Sequence, residues 1–301
     1  MVLLGASNVG KSTLLNALVG ERLSIVTPKA QTTRSRVTGL RTSQTHQLVV
    51  LDTPGVLIPR DLLHRSLLMA AGEAAREADV LVLVADPSGP ASESVRELVR
   101  EVAASAPAAV PRIGVVNKVD AATPEAVRAE GVWLRSLGAE EVHAVSATLE
   151  EGVSGLVRAL EARLPSGPFL FPDDEIASAP TRFFVAEMVR EAVFNQFHEE
   201  IPYSVFCEVD EFREGGSGPE GARTYIQVTV YVERASQKKI LVGERGSAIR
   251  QLGITARAAV EHFLGSPVYL DLWVKVLPDW RRRRDQLGRL GLPIPDETRA
   301  R

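Results

Sequence analysis

Residues 5–12 read Gly5-Ala6-Ser7-Asn8-Val9-Gly10-Lys11-Ser12 and lie between an apolar run at 2–4 and a helical pattern at 13–18. A strand, a glycine-bounded loop and a helix in this order are the context of a phosphate-binding P-loop. In such a loop, backbone N–H groups and the helix N-terminus hold a phosphate chain. The alternative is a glycine-rich connection without a ligand. The residues predicted to bind the nucleotide here are Gly5, Ser7, Asn8, Val9, Gly10, Lys11, Ser12 and Thr13.

Two side chains of this loop and a second motif can contact the phosphates and a bound Mg²⁺. Lys11 can reach the β- and γ-phosphates, and the Ser12 hydroxyl can bind Mg²⁺. A strand predicted over 47–51 ends in Asp52-Thr53-Pro54-Gly55, 40 residues after Ser12. Asp52 can meet Mg²⁺, usually through water, and the Gly55 N–H can contact the γ-phosphate. The tetrapeptide is also a good turn sequence, but its place at a strand end favours the phosphate site.

A third motif predicts which base the nucleotide carries. A buried strand at 113–116 leads into Asn117-Lys118-Val119-Asp120. Asp120 can accept hydrogen bonds from guanine N1 and the exocyclic amine, two donors that adenine lacks. Asn117 suits the other edge of the base, and the Lys118 stem can cover one ring face. The last strand ends in Ser146-Ala147-Thr148, whose backbone can reach guanine O6. The alternative interpretation of 117–120 is a polar turn.

The order of elements predicts two domains. Strands and helices alternate through residues 1–165, which predicts a doubly wound α/β sheet with its ligand at the carboxyl ends of the strands. A proline- and glycine-containing linker is predicted at 166–180. Residues 181–290 follow the order helix–strand–strand–helix–helix–strand, with Gly243-Glu244-Arg245-Gly246 at a helix start. This order is that of an α+β type II KH domain, and residues 291–301 form a predicted tail.

The second domain carries features that suit nucleic acid. A Gly-x-x-Gly loop can approach a nucleic-acid backbone closely, and apolar neighbours can line a groove for unstacked bases. Residues 234–284 contain 11 bases and 4 acids, whereas 173–220 contain 3 bases and 12 acids, which suggests a polarised surface. The alternatives are solvated faces and a plain helix-to-helix turn. The predicted RNA contacts are Lys238, Lys239, Ile240, Gly243, Glu244, Arg245, Gly246, Ile249, Arg250 and Arg281.

The composition sets the compartment that we expect. The chain has 301 residues, 45% of them hydrophobic and 24% charged, which predicts a packed globular protein. Cys207 is the only cysteine, so the chain forms no internal disulfide. No apolar run approaches the length of a membrane span, and no export signal precedes the P-loop. These features predict a cytoplasmic protein.

Together the motifs resemble the Era family of bacterial ribosome-assembly GTPases over residues 1 to about 290. The resemblance is most specific at 8–12, 31–34, 232–238, 243–246 and 272–276. It implies GTP and GDP as ligands, and a switch threonine that binds Mg²⁺ only when the γ-phosphate is present. Thr33 is the better match for that threonine and Thr32 the second choice. The implied Mg²⁺ ligands are Ser12, Thr33 and Asp52, and the implied catalytic residues are Lys11, Asn8, Thr33, Asp52 and Gly55.

The resemblance also implies an unusual route to hydrolysis. In Ras-like enzymes a glutamine after Asp-x-x-Gly orients the attacking water, whereas this chain has Val56 there. Members of the group with a hydrophobic residue at this place and an asparagine in the P-loop can use a bound K⁺. Asn8 therefore either helps to hold K⁺ or only braces the loop. Hydrolysis is expected to be slow without an activating partner or K⁺.

The biological role that the resemblance implies is a GTP-controlled switch in ribosome assembly. It implies binding to small-subunit (16S) ribosomal RNA near its 3′ end and action in small-subunit (30S) maturation. It also implies a monomeric cytoplasmic protein that is sometimes associated peripherally with the inner face of the membrane. The alternative is a GTPase switch whose KH-like domain is a protein-interaction module. A P-loop kinase or ATPase is disfavoured by the residues at 117–120.

Overall fold

The computed structural model describes residues 1–27, 29, 32–215 and 223–295. Its contacts divide the chain into two units. One comprises residues 1–178 and the described residues after 281, and the other comprises 179–281. Most of the glycine-rich loop at 214–221, Gln31 of the predicted switch stretch and most of the predicted tail lie outside the described residues.

The first unit is a six-stranded sheet between helices. The strand order is β2-β3-β1-β4-β5-β6, in which β2 runs antiparallel to β3 and every other pair is parallel. The strands are β1 (Val2–Leu4), β2 (Val37–Thr42), β3 (Gln47–Asp52), β4 (Leu81–Ala85), β5 (Arg112–Val116) and β6 (Glu141–Ala144). The helices are α1 (Lys11–Val19), α2 (Leu62–Arg76), α3 (Glu93–Ala103), α4 (Pro124–Ser136) and α5 (Val153–Glu161).

The sequence explains why these elements form and where two of the helices begin. All five residues of β4 are buried, as expected for an apolar strand covered on both faces of a parallel sheet. Asp61 caps α2 by accepting the His64 N–H, and Thr123 caps α4 just before Pro124. Because the parallel strands end at the same edge, the loops after β1, β3, β4 and β5 meet there.

The second unit is a three-stranded sheet with helices on one face. Strand β7 pairs antiparallel with β8, and β8 pairs parallel with β9. Alternate residues of β8 from Ile226 to Val232 are buried against α6 and α9. The elements in chain order are α6 (Thr181–Gln196), α7 (Ile201–Ser204), β7 (Phe206–Arg213), β8 (Thr224–Val232), α8 (Ala235–Val242), α9 (Ser247–Leu264) and β9 (Val268–Val276). This order confirms the predicted fold class.

The observed unit boundaries differ from the predicted ones. The predicted linker at 166–180 largely joins the first unit, because β2 is an edge strand with unpaired backbone groups. The Leu40 N–H donates to the Ile176 carbonyl oxygen at 2.8 Å, and Ala177 bridges Gly39. Helix α10 (Arg284–Arg289) contacts α2 and groups with the first unit as well, whereas the sequence assigned it to the KH domain.

Candidate functional site

The loop at 5–12 connects β1 to α1 in a backbone conformation that needs its glycines. Gly10 has φ +90°, and a Cβ there would lie 2.2 Å from the Asn117 side-chain nitrogen. A Cβ on Gly5 would lie 2.3 Å from the Val84 carbonyl oxygen. Helix α1 begins at Lys11 without a side-chain cap, so its first N–H groups remain available to a phosphate.

Lys11 is buried inside this loop. Its Nζ donates to the carbonyl oxygens of Ala6 at 2.8 Å and Gly5 at 3.2 Å. Burial lowers the pKa of Lys11 to about 8, and the nearby Asp52 carboxylate opposes part of that shift. A phosphate chain held by the loop would add negative charge beside the ammonium and favour its protonated form.

Three hydroxyl groups surround the Asp52 carboxylate. Its Oδ2 accepts hydrogen bonds from Ser12 Oγ at 2.6 Å, Thr33 Oγ1 at 3.2 Å and Ser24 Oγ at 3.3 Å. The Ser12 and Thr33 hydroxyls also lie 2.8 Å apart. Burial raises the pKa of Asp52, while Lys11 and the three hydroxyls act in the opposite direction.

This cluster fits Mg²⁺. Asp52 Oδ1 is buried without a hydrogen-bond partner, which is a costly arrangement unless a cation or water meets it. Mg²⁺ prefers hard oxygen ligands and retains several waters, and one carboxylate with neighbouring hydroxyls provides such a set. Of the two candidate switch threonines, Thr33 makes the contacts with Ser12 and Asp52, while Thr32 lines the adjoining cavity.

The loop after β3 is joined to the P-loop by backbone hydrogen bonds. The Ser7 N–H donates to the Val56 carbonyl oxygen, and the Val56 N–H donates to the Gly5 carbonyl oxygen, both at 3.0 Å. A Cβ on Gly55 would lie 2.5 Å from the Ser7 Cα, so only glycine allows this approach. The Val56 side chain is buried in the core. It therefore cannot orient a water molecule at the phosphates.

The residues predicted to recognise the base tie three loops together. Asn117 Nδ2 donates to the Val9 carbonyl oxygen at 3.0 Å, and Asn117 Oδ1 accepts the Ala147 N–H at 3.0 Å. Lys118 Nζ donates to the Asn8 carbonyl oxygen at 2.7 Å. Asp120 is exposed in a short 3₁₀ turn that follows. These bonds hold the P-loop beside the 117–120 and 146–148 loops.

A cavity of about 250 Å³ opens beside the P-loop. Asp120 and residues 146–148 lie outside its lining, although Asn117 joins the 146–148 loop to the P-loop. Predicted site residues that line it are Ser7, Asn8, Gly10, Lys11, Ser12, Thr13, Thr33, Gly55 and Lys118.

The sequence interpretation missed three residues that hold this site. Ser24 contacts Asp52, and Asn16 positions Ser24 by accepting its N–H at 2.9 Å and donating to its carbonyl oxygen at 3.1 Å. Asp86 accepts a 2.6 Å hydrogen bond from Lys118 Nζ. Burial acts to raise the pKa of Asp86, but hydrogen bonds from Lys118 and Ser88 outweigh it and hold the pKa below its ordinary value. The position of Asp86 after the apolar strand β4 was the available signal.

The loop at 243–246 joins α8 to α9 and presents polar groups to solvent. Gly243, Arg245 and Gly246 have φ of +74°, +51° and +80°. A Cβ on Gly243 would lie 2.6 Å from the Ala248 Cβ, whereas Gly246 faces open space. Ile249 is partly buried beside the loop. The predicted contacts that are exposed here are Lys238, Lys239, Ile240, Glu244, Arg245 and Arg250.

Arg281 differs from the other predicted RNA contacts. Its guanidinium forms an ion pair with Glu233, with Nε at 3.1 Å and Nη2 at 3.0 Å from Oε2. The two residues are 48 positions apart, so the pairing depends on the tertiary fold. The Glu233 carboxylate neutralises much of the charge that the sequence assigned to RNA.

Comparison with known proteins identifies the family. A family model described as a 50S ribosome-binding GTPase matches residues 1–118, and a KH domain model matches 200–281. GTPase Era of Afipia carboxidovorans is 35% identical over 298 residues, which cover 99% of this chain and 94% of that protein. The chain belongs to the Era family of GTPases. GTPase Era of Carboxydothermus hydrogenoformans is 38% identical over 283 residues, which cover 93% of each.

Two solved Era structures agree with this assignment. Era of Aquifex aeolicus bound to GDP and AlF₄⁻ shares 35% identity and a TM-score of 0.87, covering 95% of this chain and 96% of that one. Era in complex with MgGDPNP and nucleotides 1506–1542 of 16S ribosomal RNA shares 35% identity and a TM-score of 0.88, with the same coverage. This Era-family chain is a GTPase that binds guanine nucleotides, which confirms the predicted activity. No helix within the described ranges combines the length and apolar character needed to cross a bilayer.

Proposed function

We propose that this chain is a GTP-dependent switch that binds 16S ribosomal RNA near its 3′ end and acts in small-subunit assembly. The observation that carries the RNA assignment is the 243–246 loop, which contains one exposed basic side chain and is flanked by three more. A relative of 35% identity is known in complex with nucleotides 1506–1542 of that RNA. The four basic residues are Lys238, Lys239, Arg245 and Arg250.

The nucleotide site supports hydrolysis through positioning and charge stabilisation. Lys11 moves from the Gly5 and Ala6 carbonyl oxygens to the phosphates, where its charge stabilises the transferring group. Ser12, Thr33 and Asp52 are the residues that would hold Mg²⁺, which supplies further neutralisation of charge when bound. The Gly55 N–H donates to the γ-phosphate from the loop that is joined to Ser7.

The same contacts provide the switch. Thr33 belongs to the predicted switch segment at 24–36, whose described residues form no helix or strand, and it reaches the P-loop through its contacts with Ser12 and Asp52. Gly55 begins the second switch segment, at 55–63. When the γ-phosphate is lost, Thr33 loses its contact through Mg²⁺ and the Gly55 N–H loses its acceptor. Both segments are then released from the site. RNA binding is favoured in the GTP state and weakened after hydrolysis.

The role of Asn8 predicts a dependence on the monovalent cation. Asn8 is exposed at the cavity with φ +68°, and Val56 offers no polar group in compensation. If Asn8 helps to hold K⁺ near the phosphates, GTP hydrolysis is about tenfold faster or more in K⁺ than in Na⁺ at equal ionic strength. Asn8→Ala then removes that difference while retaining nucleotide binding. Equal rates in K⁺ and Na⁺ would show that Asn8 only braces the loop.

Reversing charge beside the 243–246 loop tests the RNA assignment. Lys238→Glu with Arg250→Glu is expected to weaken binding of an RNA of nucleotides 1506–1542 at least tenfold and to reduce its salt dependence. Both side chains are exposed, so the GTP hydrolysis rate stays near that of the unmodified chain. These changes disturb the fold less than Gly243→Asp, which would place side-chain atoms against Ala248.

Arg257→Glu is the control, because Arg257 is an exposed base further along α9, the helix that carries Arg250. It is expected to change RNA affinity less than threefold, as a general charge effect would. Unaltered RNA affinity in the Lys238→Glu, Arg250→Glu variant would favour the alternative, in which the second domain docks a protein. Monomeric state, cytoplasmic location and peripheral membrane association stay predictions from the sequence and the family resemblance.

A further inference from the structure

Within the part of the chain that the structure describes, α6, α8 and α9 all pack on one face of the second unit's sheet. The opposite face is covered at its Tyr231 end, where the buried Trp280 packs on Phe206, and carries exposed aromatic side chains towards its other end. Ile226 and Val228 point into the core, so Tyr225 and the other odd-numbered residues of β8 lie on the opposite face. Register places Tyr269 beside Tyr225, and Trp273 beside Thr229. We call this surface the open face, and we define it by residues 208, 210, 211 and 213 of β7, Tyr225 of β8, and residues 269, 271, 273 and 275 of β9.

The open face carries aromatic side chains that the protein core does not use. Tyr269 is 56% exposed and Trp273 is 51% exposed. The Tyr225 and Tyr269 rings are nearly parallel, with centroids 5.8 Å apart. Asp271 Oδ2 accepts hydrogen bonds from Trp273 Nε1 at 2.8 Å and from the Tyr225 hydroxyl at 3.2 Å. The rings are therefore held in place before any partner arrives, which lowers the entropy cost of binding.

The charge of the open face distinguishes between partners. Asp210 and Asp271 lie on it, and Glu208 and Glu211 share the same side of β7 through their pairing with Thr229 and Gln227. Against these four acids stand two bases, Arg213 and Lys275, which gives a net charge of −2. A phosphate backbone is repelled by such a surface, whereas a cationic polypeptide is attracted to it.

One side chain of the chain itself shows how a cation is held there. The Arg213 guanidinium lies 4.6 Å from the centre of the Tyr225 ring, and its Nε is 2.8 Å from Glu211 Oε1. An aromatic face combined with a carboxylate is a favourable site for a guanidinium. Trp273 and Tyr269 beside Asp271 offer the same pair of groups, with their ring surfaces exposed.

We propose that the open face docks an arginine- or lysine-rich segment of a protein partner. The cationic side chains of that segment stack on Tyr269 and Trp273 and pair with the Asp271 carboxylate. Helices α8 and α9, which flank the 243–246 loop, pack on the other side of the sheet. The second unit thus has two binding surfaces of opposite charge, one for RNA and one for a basic protein segment.

The test uses the full chain and a fluorescein-labelled peptide of four Arg-Ser repeats, followed by fluorescence anisotropy. Tyr269→Ala with Trp273→Ala is expected to weaken peptide binding at least tenfold. Asp271→Lys is expected to do the same, because it reverses the charge and removes the acceptor that holds the Trp273 and Tyr225 side chains. Ile254→Ala is the control, because Ile254 is 49% exposed on α9 away from this face. It leaves peptide affinity unchanged, and a peptide of Glu-Ser repeats shows no binding.

RNA affinity is measured on the same variants with an RNA of nucleotides 1506–1542. The proposal predicts that Tyr269→Ala with Trp273→Ala leaves RNA affinity within twofold, and that GTP hydrolysis and thermal stability confirm a folded chain. Peptide affinity that survives both the aromatic and the Asp271→Lys changes would overturn the proposal. A tenfold fall in RNA affinity when the two aromatic rings are removed, or a rise in RNA affinity in Asp271→Lys, would instead assign the open face to RNA.

Discussion

Replacing Lys11 by alanine is expected to lower kcat for GTP hydrolysis by roughly three orders of magnitude, or about 4 kcal/mol of transition-state stabilisation. Lys11 is buried beneath the phosphate loop, where its charge is available to the β- and γ-phosphates and screened little by water. Single-turnover hydrolysis of radiolabelled GTP at saturating enzyme measures this effect, because it separates the chemical step from nucleotide binding.

Lys11→Arg serves as the comparison for this result. The planar guanidinium retains the charge but does not fit the space that the Gly5 and Ala6 carbonyl oxygens leave around the lysine amine. Lys11→Arg is therefore expected to hydrolyse GTP at less than a tenth of the rate of the unmodified chain. A loss of less than tenfold in Lys11→Ala would mean that the ammonium does not reach the phosphates in the transition state.

Replacing Asp120 by asparagine is expected to lower GTP affinity by about a hundredfold or more and to create a preference for xanthosine triphosphate. The carboxylate accepts hydrogen bonds from guanine N1 and from the exocyclic amine. An asparagine amide would place its own NH₂ donor opposite one of these two donors. Xanthine has a carbonyl oxygen where guanine has the amine, so the amide can donate to it. Competition binding with the two nucleotides measures the change.

Glu125→Gln is the control for Asp120→Asn. Glu125 is an exposed acid at the start of α4, close in sequence, where it pairs with Arg128. It should leave the preference for GTP unaltered, because it has no part in the predicted base contacts. Retained selectivity for GTP in Asp120→Asn would show that its carboxylate does not recognise the base.

The sequence predicts the parts of the site that are determined by residues close together along the chain. The loop at 5–12 needs glycine at the positions where the backbone approaches Val84 and Asn117, and that need appears directly as a motif. The apolar strands predict the edge of the sheet at which the motifs meet. The choice of Thr33 over Thr32 agrees with the contact between Thr33 and Asp52.

The parts that the sequence does not predict depend on contacts between distant residues. Ser24 reaches Asp52 across 28 positions, and Asp86 reaches Lys118 across 32. A serine in a loop is common and carries no pattern of its own, and the place of Asp86 after β4 does not show that Lys118 is its partner. The linker and α10 were assigned by composition, but pairing with an edge strand and contact with α2 decide their place.

The second unit shows the same division. The order of its elements and the glycines at 243 and 246 predict a KH domain before any contact is known. The ion pair between Arg281 and Glu233 could not be foreseen, because a run of basic residues does not show which of them find acidic partners. Alternation along β9 predicts that Trp273 faces away from Val274, but only the fold shows that α6, α8 and α9 all pack on the Val274 side of the sheet.

The affinity of the chain for an RNA of nucleotides 1506–1542, measured with GDPNP–Mg²⁺ and again with GDP–Mg²⁺, tests the central claim most directly. The switch predicts at least tenfold tighter binding with GDPNP, a coupling free energy of about 1.4 kcal/mol or more between the two sites. Thr33→Ala should remove most of that difference, because it takes away the hydroxyl beside Ser12 and Asp52. Equal RNA affinity in the two nucleotide states would contradict the account.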